Sequence, residues 1–288
     1  MSTETNQDPI AHAAAALAQA DALLVTAGAG MGVDSGLPDF RGNQGFWRAY
    51  PAYQQLGLSF AELANPRWFR DDPALAWGFY GHRLNLYRAT NPHGGFARLR
   101  AWGAACARGV YVLTSNVDHQ FQRAGWEADR IVEAHGTLEM WQCLKDCGVG
   151  LFAAAKDPLS VDPVSFRAAA PLPACPDCGG LARPNVLMFG DDDWDESRTT
   201  AQQRGLERWL VEVGAGHGRL AIVECGAGLA VPTIRAAGEA LARRMDATIV
   251  RINPRDPGFS RSAICVMTGA AEALTRIDDA LATLRPGH

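Results

Sequence analysis

Residues 28 to 41 read Gly28-Ala-Gly-Met-Gly-Val-Asp-Ser-Gly-Leu-Pro-Asp-Phe-Arg41, directly after the apolar run Ala22-Leu-Leu-Val-Thr26. A buried strand that breaks into a glycine-rich turn exposes backbone N–H groups at the carboxyl edge of a sheet. Diphosphates bind at such an edge because the donors converge and no Cβ blocks the approach. Asp39 and Arg41 add one acid and one base to the same turn. The stretch therefore points to a nucleotide-binding enzyme. Its fingerprint is incomplete, since Val33 stands where a third glycine belongs. The fold has to be read from what surrounds the turn.

Working outward, apolar and β-branched runs at 22–27, 110–115, 131–134, 186–189, 220–225, 248–252 and 263–267 read as buried parallel strands. Helical patterns at 207–213, 233–245 and 270–284 lie between them, and an alanine-rich amphipathic helix over 11–23 leads into the first strand. Strand–helix alternation predicts an α/β fold: a doubly wound, parallel, Rossmann-like sheet. Two stretches interrupt it. Residues 43–105 carry Trp, Phe, Tyr and Leu at helical spacing, punctuated by Pro51, Pro66, Pro73 and Pro92, and read as a helical insert. Residues 141–183 are loop-like and hold four cysteines, with an Ala/Pro-rich segment at 153–174 that reads as mobile. The expected organisation is one unit spanning 1–288. Residues 10–42, 106–140 and 184–288 form the nucleotide domain, and 43–105 with 141–183 form a smaller one.

The 288 residues suffice for such a layout, and 48% hydrophobic composition allows a sizeable core. A net charge of −4 without a basic run gives no indication of a nucleic-acid partner. No apolar stretch reaches membrane-spanning length, and residues 1–9 show no secretory pattern, so neither a membrane nor export is expected. The expected location is cytoplasmic. Seven cysteines in a reducing compartment imply free thiols or a metal.

Cys143 and Cys147 form a C-x3-C pair; Cys175 and Cys178 form a C-x2-C pair within Cys-Pro-Asp-Cys-Gly-Gly180. Two close pairs separated by a loop suit a tetrahedral four-thiolate zinc ion, with structural rather than catalytic zinc because no coordination position is left open. Cys106, Cys225 and Cys265 lie in apolar settings and read as buried small residues.

Two other strands end in chemistry. The run Val110-Tyr-Val-Leu-Thr-Ser-Asn-Val-Asp118 sends Asn116 and Asp118 out at the carboxyl edge, where an amide and a carboxylate can hold a carboxamide or simply cap a helix. Ile131-Val-Glu-Ala-His135-Gly136 ends in a histidine placed as a general base.

Taken together, these segments resemble the sirtuins, the NAD-dependent protein deacylases, from about residue 20 to about residue 270. Gly28 to Arg41 looks like the family's NAD loop. Thr114-Ser-Asn-Val-Asp118 with Arg123-Ala-Gly125 looks like its nicotinamide pocket. His135-Gly136 falls where the catalytic histidine is expected, and Arg183-Pro-Asn-Val-Leu-Met-Phe-Gly190 and Arg251-Ile-Asn253 match as well. The resemblance implies that Gly28, Ala29, Gly30, Asp39, Phe40, Arg41, Ser115, Asn116, Asp118, Gly226 and Asn253 bind NAD. Phe40 would shield the reactive ribose, Arg41 steer the phosphates and Asn253 face the adenosine ribose. It also implies that Asn116 and Asp118 hold the nicotinamide carboxamide while the acyl oxygen of an acylated protein or peptide attacks the ribose. His135 then deprotonates a ribose hydroxyl, and the products are nicotinamide, free lysine and O-acyl-ADP-ribose.

The chain departs from the family in several places. Gly32 replaces a serine and Ser115 a glutamine. Gly226-Ala-Gly-Leu-Ala-Val-Pro232 lacks the Thr and Ser hydroxyls of the usual run, and Gly190-Asp191 replaces Gly-Glu. Val117-Asp-His-Gln-Phe-Gln122 is similar to the branch that transfers ADP-ribose to proteins, although His135 is kept. ADP-ribosyl transfer or NAD hydrolysis, and a non-catalytic NAD or ADP-ribose sensor, are the alternatives. Tyr80-Gly-His-Arg83 matches the pattern of sirtuins that remove succinyl or malonyl groups; a phenol and a guanidinium at i and i+3 share a helix face and can bind a carboxylate.

Overall fold

A computed structural model of the protein describes residues 8–38, 46–47, 49–256 and 263–284. Six parallel strands form one sheet in the order β3-β2-β1-β7-β8-β9. They are β1 Ala22–Ala27, β2 Val110–Thr114, β3 Ile131–Glu133, β7 Leu220–Cys225, β8 Thr248–Ile252 and β9 Ala263–Val266. Every residue of β1 and β7 is buried, as expected for central strands covered on both faces. Helices Pro9–Ala18, Gly94–Ala104 and Ala270–Leu284 cover one face through Leu17, Phe96, Leu99, Leu274 and Ile277. Helices Ser197–Ala215 and Thr233–Met245 cover the other, through Leu206, Trp209, Leu210, Val213 and Ile234. Strand order reverses between β1 and β7, so the crevice at their carboxyl ends is the topological switch point.

A second sheet of three antiparallel strands, β5-β4-β6, contains β4 Gly136–Cys143, β5 Leu151–Ala153 and β6 Ala182–Val186. It packs with Pro73–Ala89, the long helix of the small domain, around an aromatic core of Phe46, Tyr50, Tyr53, Phe69, Trp77, Phe79, Tyr80 and Trp141. Each fully buried large apolar side chain contributes about 1.5–3 kcal/mol, and the cluster extends to Leu37 and Val117 in the segments after β1 and β2 of the main sheet. Asp72 caps the helix by accepting from the Leu75 N–H at 3.2 Å, and Pro73 occupies the first turn where no N–H is required.

Several boundaries differ from the sequence expectation. The first helix is Pro9–Ala18 rather than 11–23, because β1 takes Ala22 and Leu23 into the sheet. The strand expected at 186–189 is β6, ending at Val186 and antiparallel to β4 in the small sheet. Residues 141–183 are not simply loop-like, since they contain the end of β4 and all of β5. Gly94–Ala104 leaves the helical insert for the main domain: Phe96, Leu99 and Trp102 project from one side of the helix onto the sheet.

The Ala/Pro-rich segment is clasped rather than loose. Asn85 both donates to Leu159 O (2.8 Å) and accepts from Leu159 N (3.1 Å), Tyr53 Oη donates to Phe166 O (2.9 Å), and Ala168 N donates to Ala74 O (2.9 Å). Glycines at positions 78 and 81 let this strap lie against the long helix. A Cβ built on Gly78 would stand 1.8 Å from Phe166 O. Gly78→Ala is therefore expected to displace the strap and lower stability by about 1–3 kcal/mol, read as a lower urea midpoint.

Candidate active site at the switch point

The turns after β1 and β7 meet backbone to backbone. Gly28 N donates to Cys225 O (3.0 Å), and Gly30 N donates to Gly226 O (3.1 Å). Gly226 adopts φ +62°, and a Cβ there would fall 2.3 Å from the Gly30 carbonyl carbon. Gly28 is likewise required by contact, since a Cβ there would fall 2.9 Å from the Ala227 Cα. The chain from Ala29 to Ser35 then coils into a 3₁₀ helix that ends at Gly36.

A cavity of about 930 Å³ opens over this crossing. Gly28, Ala29, Ser115, Asn116, Asp118, His135 and Gly226 line it, as do Tyr80 and Arg83 from the small domain. Gly30 and Asn253 are not among its lining residues. Both ends of the Asn253 amide are engaged by backbone. Nδ2 donates to Ala227 O (3.0 Å), and Oδ1 accepts from the N–H groups of Arg255 and Asp256 (both 3.0 Å). Asp39, Phe40 and Arg41 lie outside the described residues.

Asn116 is held by its surroundings. Its Nδ2 donates to Gly28 O (3.0 Å) and its backbone N–H to Thr114 Oγ1 (3.0 Å), while that hydroxyl donates to Ala27 O (2.9 Å). This ties the end of β2 to the first glycine turn. Asp118 accepts from the Gln120 N–H at 3.0 Å. Burial pushes its carboxyl up to about 6; the Gln120 N–H and Arg83 oppose the rise and Glu133 adds to it. Burial acts oppositely on His135 and holds the imidazole below its ordinary value, which keeps it neutral at pH 7. The His135 carbonyl accepts from Leu187 N (3.0 Å), joining the end of β3 to the chain after β6.

Tyr80 and Arg83 occupy one face of the long helix, as their spacing requires. Arg83 Nε donates to Tyr87 Oη (2.9 Å), and its guanidinium lies 5.1 Å from the Phe79 ring centre. Ser59, Phe60 and Ala64 complete this end of the cavity, and sequence reading had not singled them out. One signal for them was legible: Ser59-x-x-Glu62 is a capping box, with Glu62 N donating to Ser59 Oγ (3.3 Å). Leu229 and Val231, on the turn after β7, and Leu187 and Phe189, after β6, are exposed residues that also line the cavity.

Cys143, Cys147, Cys175 and Cys178 converge, with all four Sγ atoms within 4.8 Å of one another. The Cys143–Cys178 and Cys147–Cys175 sulfurs are 3.6 and 3.5 Å apart. Tetrahedral zinc with bonds of about 2.3 Å sets sulfurs roughly 3.8 Å apart. The thiol set therefore fits a structural zinc ion. Cys106 and Cys225 are buried, as expected, and Cys265 is half-buried.

Residues 28–218 match the profile of the Sir2 family. The chain belongs to the Sir2 family. It is 34% identical over 207 residues to the mitochondrial NAD-dependent protein deacylase sirtuin-5 of Danio rerio, covering 66% of this chain and 64% of that protein. An NAD-dependent protein deacylase of Thermococcus kodakarensis is 36% identical over 194 residues, covering 63% and 65%. The chain thus spans just under two thirds of these two relatives. NAD-dependent protein deacylase 1 of Archaeoglobus fulgidus is 29% identical over 263 residues, 88% of this chain and 90% of that protein. Among solved structures, a Sir2 homologue–NAD complex superposes with a TM-score of 0.70 at 23% identity, covering 99% of this chain and 97% of that chain. That likeness establishes the Sir2 fold. No helix among the described residues is long and apolar enough to cross a membrane.

Chelation of metal from the native protein is expected to open the segment between β4 and β6 while the six-stranded sheet persists. The readout is faster proteolysis within residues 144–181 with little change in far-UV circular dichroism.

Proposed function

We propose that this chain is an NAD-dependent protein lysine deacylase, built as a single unit, that releases nicotinamide and O-acyl-ADP-ribose. The observation that carries this reading is the convergence of Asn116, Asp118 and His135 on one cavity at the switch point, over two crossed glycine turns. The deacylases of Danio rerio, Thermococcus kodakarensis and Archaeoglobus fulgidus support it. NAD supplies the leaving nicotinamide and the ribose that receives the acyl group.

The chain's own residues have distinct tasks. The Gly28–Gly30 turn and Gly226 let a diphosphate approach backbone closely. Asn116, its Nδ2 engaged by Gly28 O, presents Oδ1 as an acceptor, and Asp118 accepts from a carboxamide N–H. The neutral His135 ring takes a proton at its free nitrogen. The four cysteines hold zinc remote from the reaction, as a brace for the small domain. Reduced thiols suit the cytoplasm, where we place the protein.

Tyr80 and Arg83 line the cavity and support a preference for an acyl group that ends in a carboxylate, such as succinyl or malonyl. A second reading, ADP-ribosyl transfer to protein or NAD hydrolysis, draws on the run Val117–Gln122 and on the hydroxyl-free turn at 226–232. Retention of His135 favours deacylation. A non-catalytic sensor would bind NAD and release nothing.

The test is incubation with NAD and acetyl-, succinyl- and unmodified-lysine peptides, quantifying nicotinamide and peptide mass together. Nicotinamide released in step with acyl loss is the expected result; ADP-ribose added to protein, or nicotinamide without acyl loss, favours the second reading. His135→Ala is expected to lower acyl turnover by about 100-fold or more. Arg83→Met is expected to lower kcat/KM for succinyl-lysine by about 10- to 100-fold, and far less for acetyl-lysine. Because His135 must be neutral and Asp118 ionised, kcat/KM should fall as pH drops through about 6 and level off above it.

A further inference from the structure

The turn Gly226-Ala-Gly-Leu-Ala-Val-Pro232 lines the cavity but carries no side chain able to hydrogen-bond. Its shape has to be set from outside. Part of the constraint is backbone: Gly226 N donates to Ile252 O (2.9 Å). The rest converges on Ala227 O, which accepts both Asn253 Nδ2 (3.0 Å) and Arg235 Nη2 (2.9 Å). The same Nη2 donates to Asp256 O. A single guanidinium nitrogen thus ties the turn after β7 to the turn after β8. Ala227 and Asp256 both line the cavity, whereas Arg235 lies behind it.

A guanidinium 5% exposed needs charge balance. Arg235 lies 3.6 Å from Glu224, which pairs with Arg251 at 2.6 Å, and Arg251 reaches Glu239 at 2.9 Å. Two cations and two anions therefore close a neutral, largely buried network at the root of the turn. Arg235 stands on the first turn of helix Thr233–Met245, which aims it back under the loop that precedes the helix.

We propose that Arg235 is a positioning residue for the adenosine half of the dinucleotide. It fixes from below a turn that has no hydroxyl of its own to fix it. The assignment to this half rests on the NAD reading: Asn116 and Asp118 claim nicotinamide at the β2 end, which leaves the β7–β8 end for adenosine.

Arg235→Lys keeps the positive charge facing Glu224 but loses the planar donor that bridges two carbonyls. Titration of ADP-ribose onto the full chain should show a dissociation constant raised about tenfold, the loss of one charge-assisted hydrogen bond. Nicotinamide affinity should not follow. Asn253→Ala removes the other donor to Ala227 O, leaves the charged network intact and should show the same selective loss. Equal ADP-ribose affinity in wild type and Arg235→Lys overturns the proposal, whatever Asn253→Ala does. So does a parallel loss of nicotinamide affinity, which would mean general loosening. Failure of the wild type to bind ADP-ribose would instead overturn the NAD reading, and this proposal with it.

Discussion

The contact on which the rest of the structure depends is the crossing of two backbones at the carboxyl ends of β1 and β7. Gly28 and Gly30 bond directly to Cys225 and Gly226, and neither Gly28 nor Gly226 has room for a Cβ. The sheet brings these turns together because β1 and β7 are neighbours whose connections run to opposite sides. Packing this close seals the floor of the crevice.

Above that floor, the small domain sets the reach of the site. Its long helix is buried on nearly every side, between the aromatic core and the strap that crosses Gly78 and Gly81. Such a helix has little freedom to tilt, so Tyr80 and Arg83 are held at fixed depth in the cavity. The zinc-binding cysteines act at a distance. They join the end of β4 to the approach to β6, next to the Cys143–Ala182 pair of the small sheet.

Burial also sets the charge states. It raises Asp118 and lowers His135, and each shift comes first from the loss of water. The same removal of solvent that would protect an acyl-transfer step thus tunes the groups proposed to perform it. Arg83 and Glu133 act on Asp118 in opposite senses, from the small domain and from β3 respectively.

The sequence by itself determined the six strands of the main sheet, the glycine turns, the strand-end residues Asn116, Asp118 and His135, and the two cysteine pairs. Each depends on a local rule: apolar run length, a glycine after a strand, ligand spacing within one turn. Strands 22–27, 220–225 and 248–252 and helices 233–245 and 270–284 were legible to the residue, because buried runs end sharply at polar or glycine punctuation. Only the tertiary structure decided that 182–186 pairs antiparallel with β4, that Gly94–Ala104 belongs to the main domain, and that the Ala/Pro-rich strap is clasped. It also brought the Asn253 amide and the Arg235 guanidinium together on the Ala227 carbonyl. These outcomes depend on partners distant in sequence, and an amide or guanidinium reads the same in one dimension whether it meets a ligand or a carbonyl. What a side chain touches is set by chain crossings, and no local pattern records those.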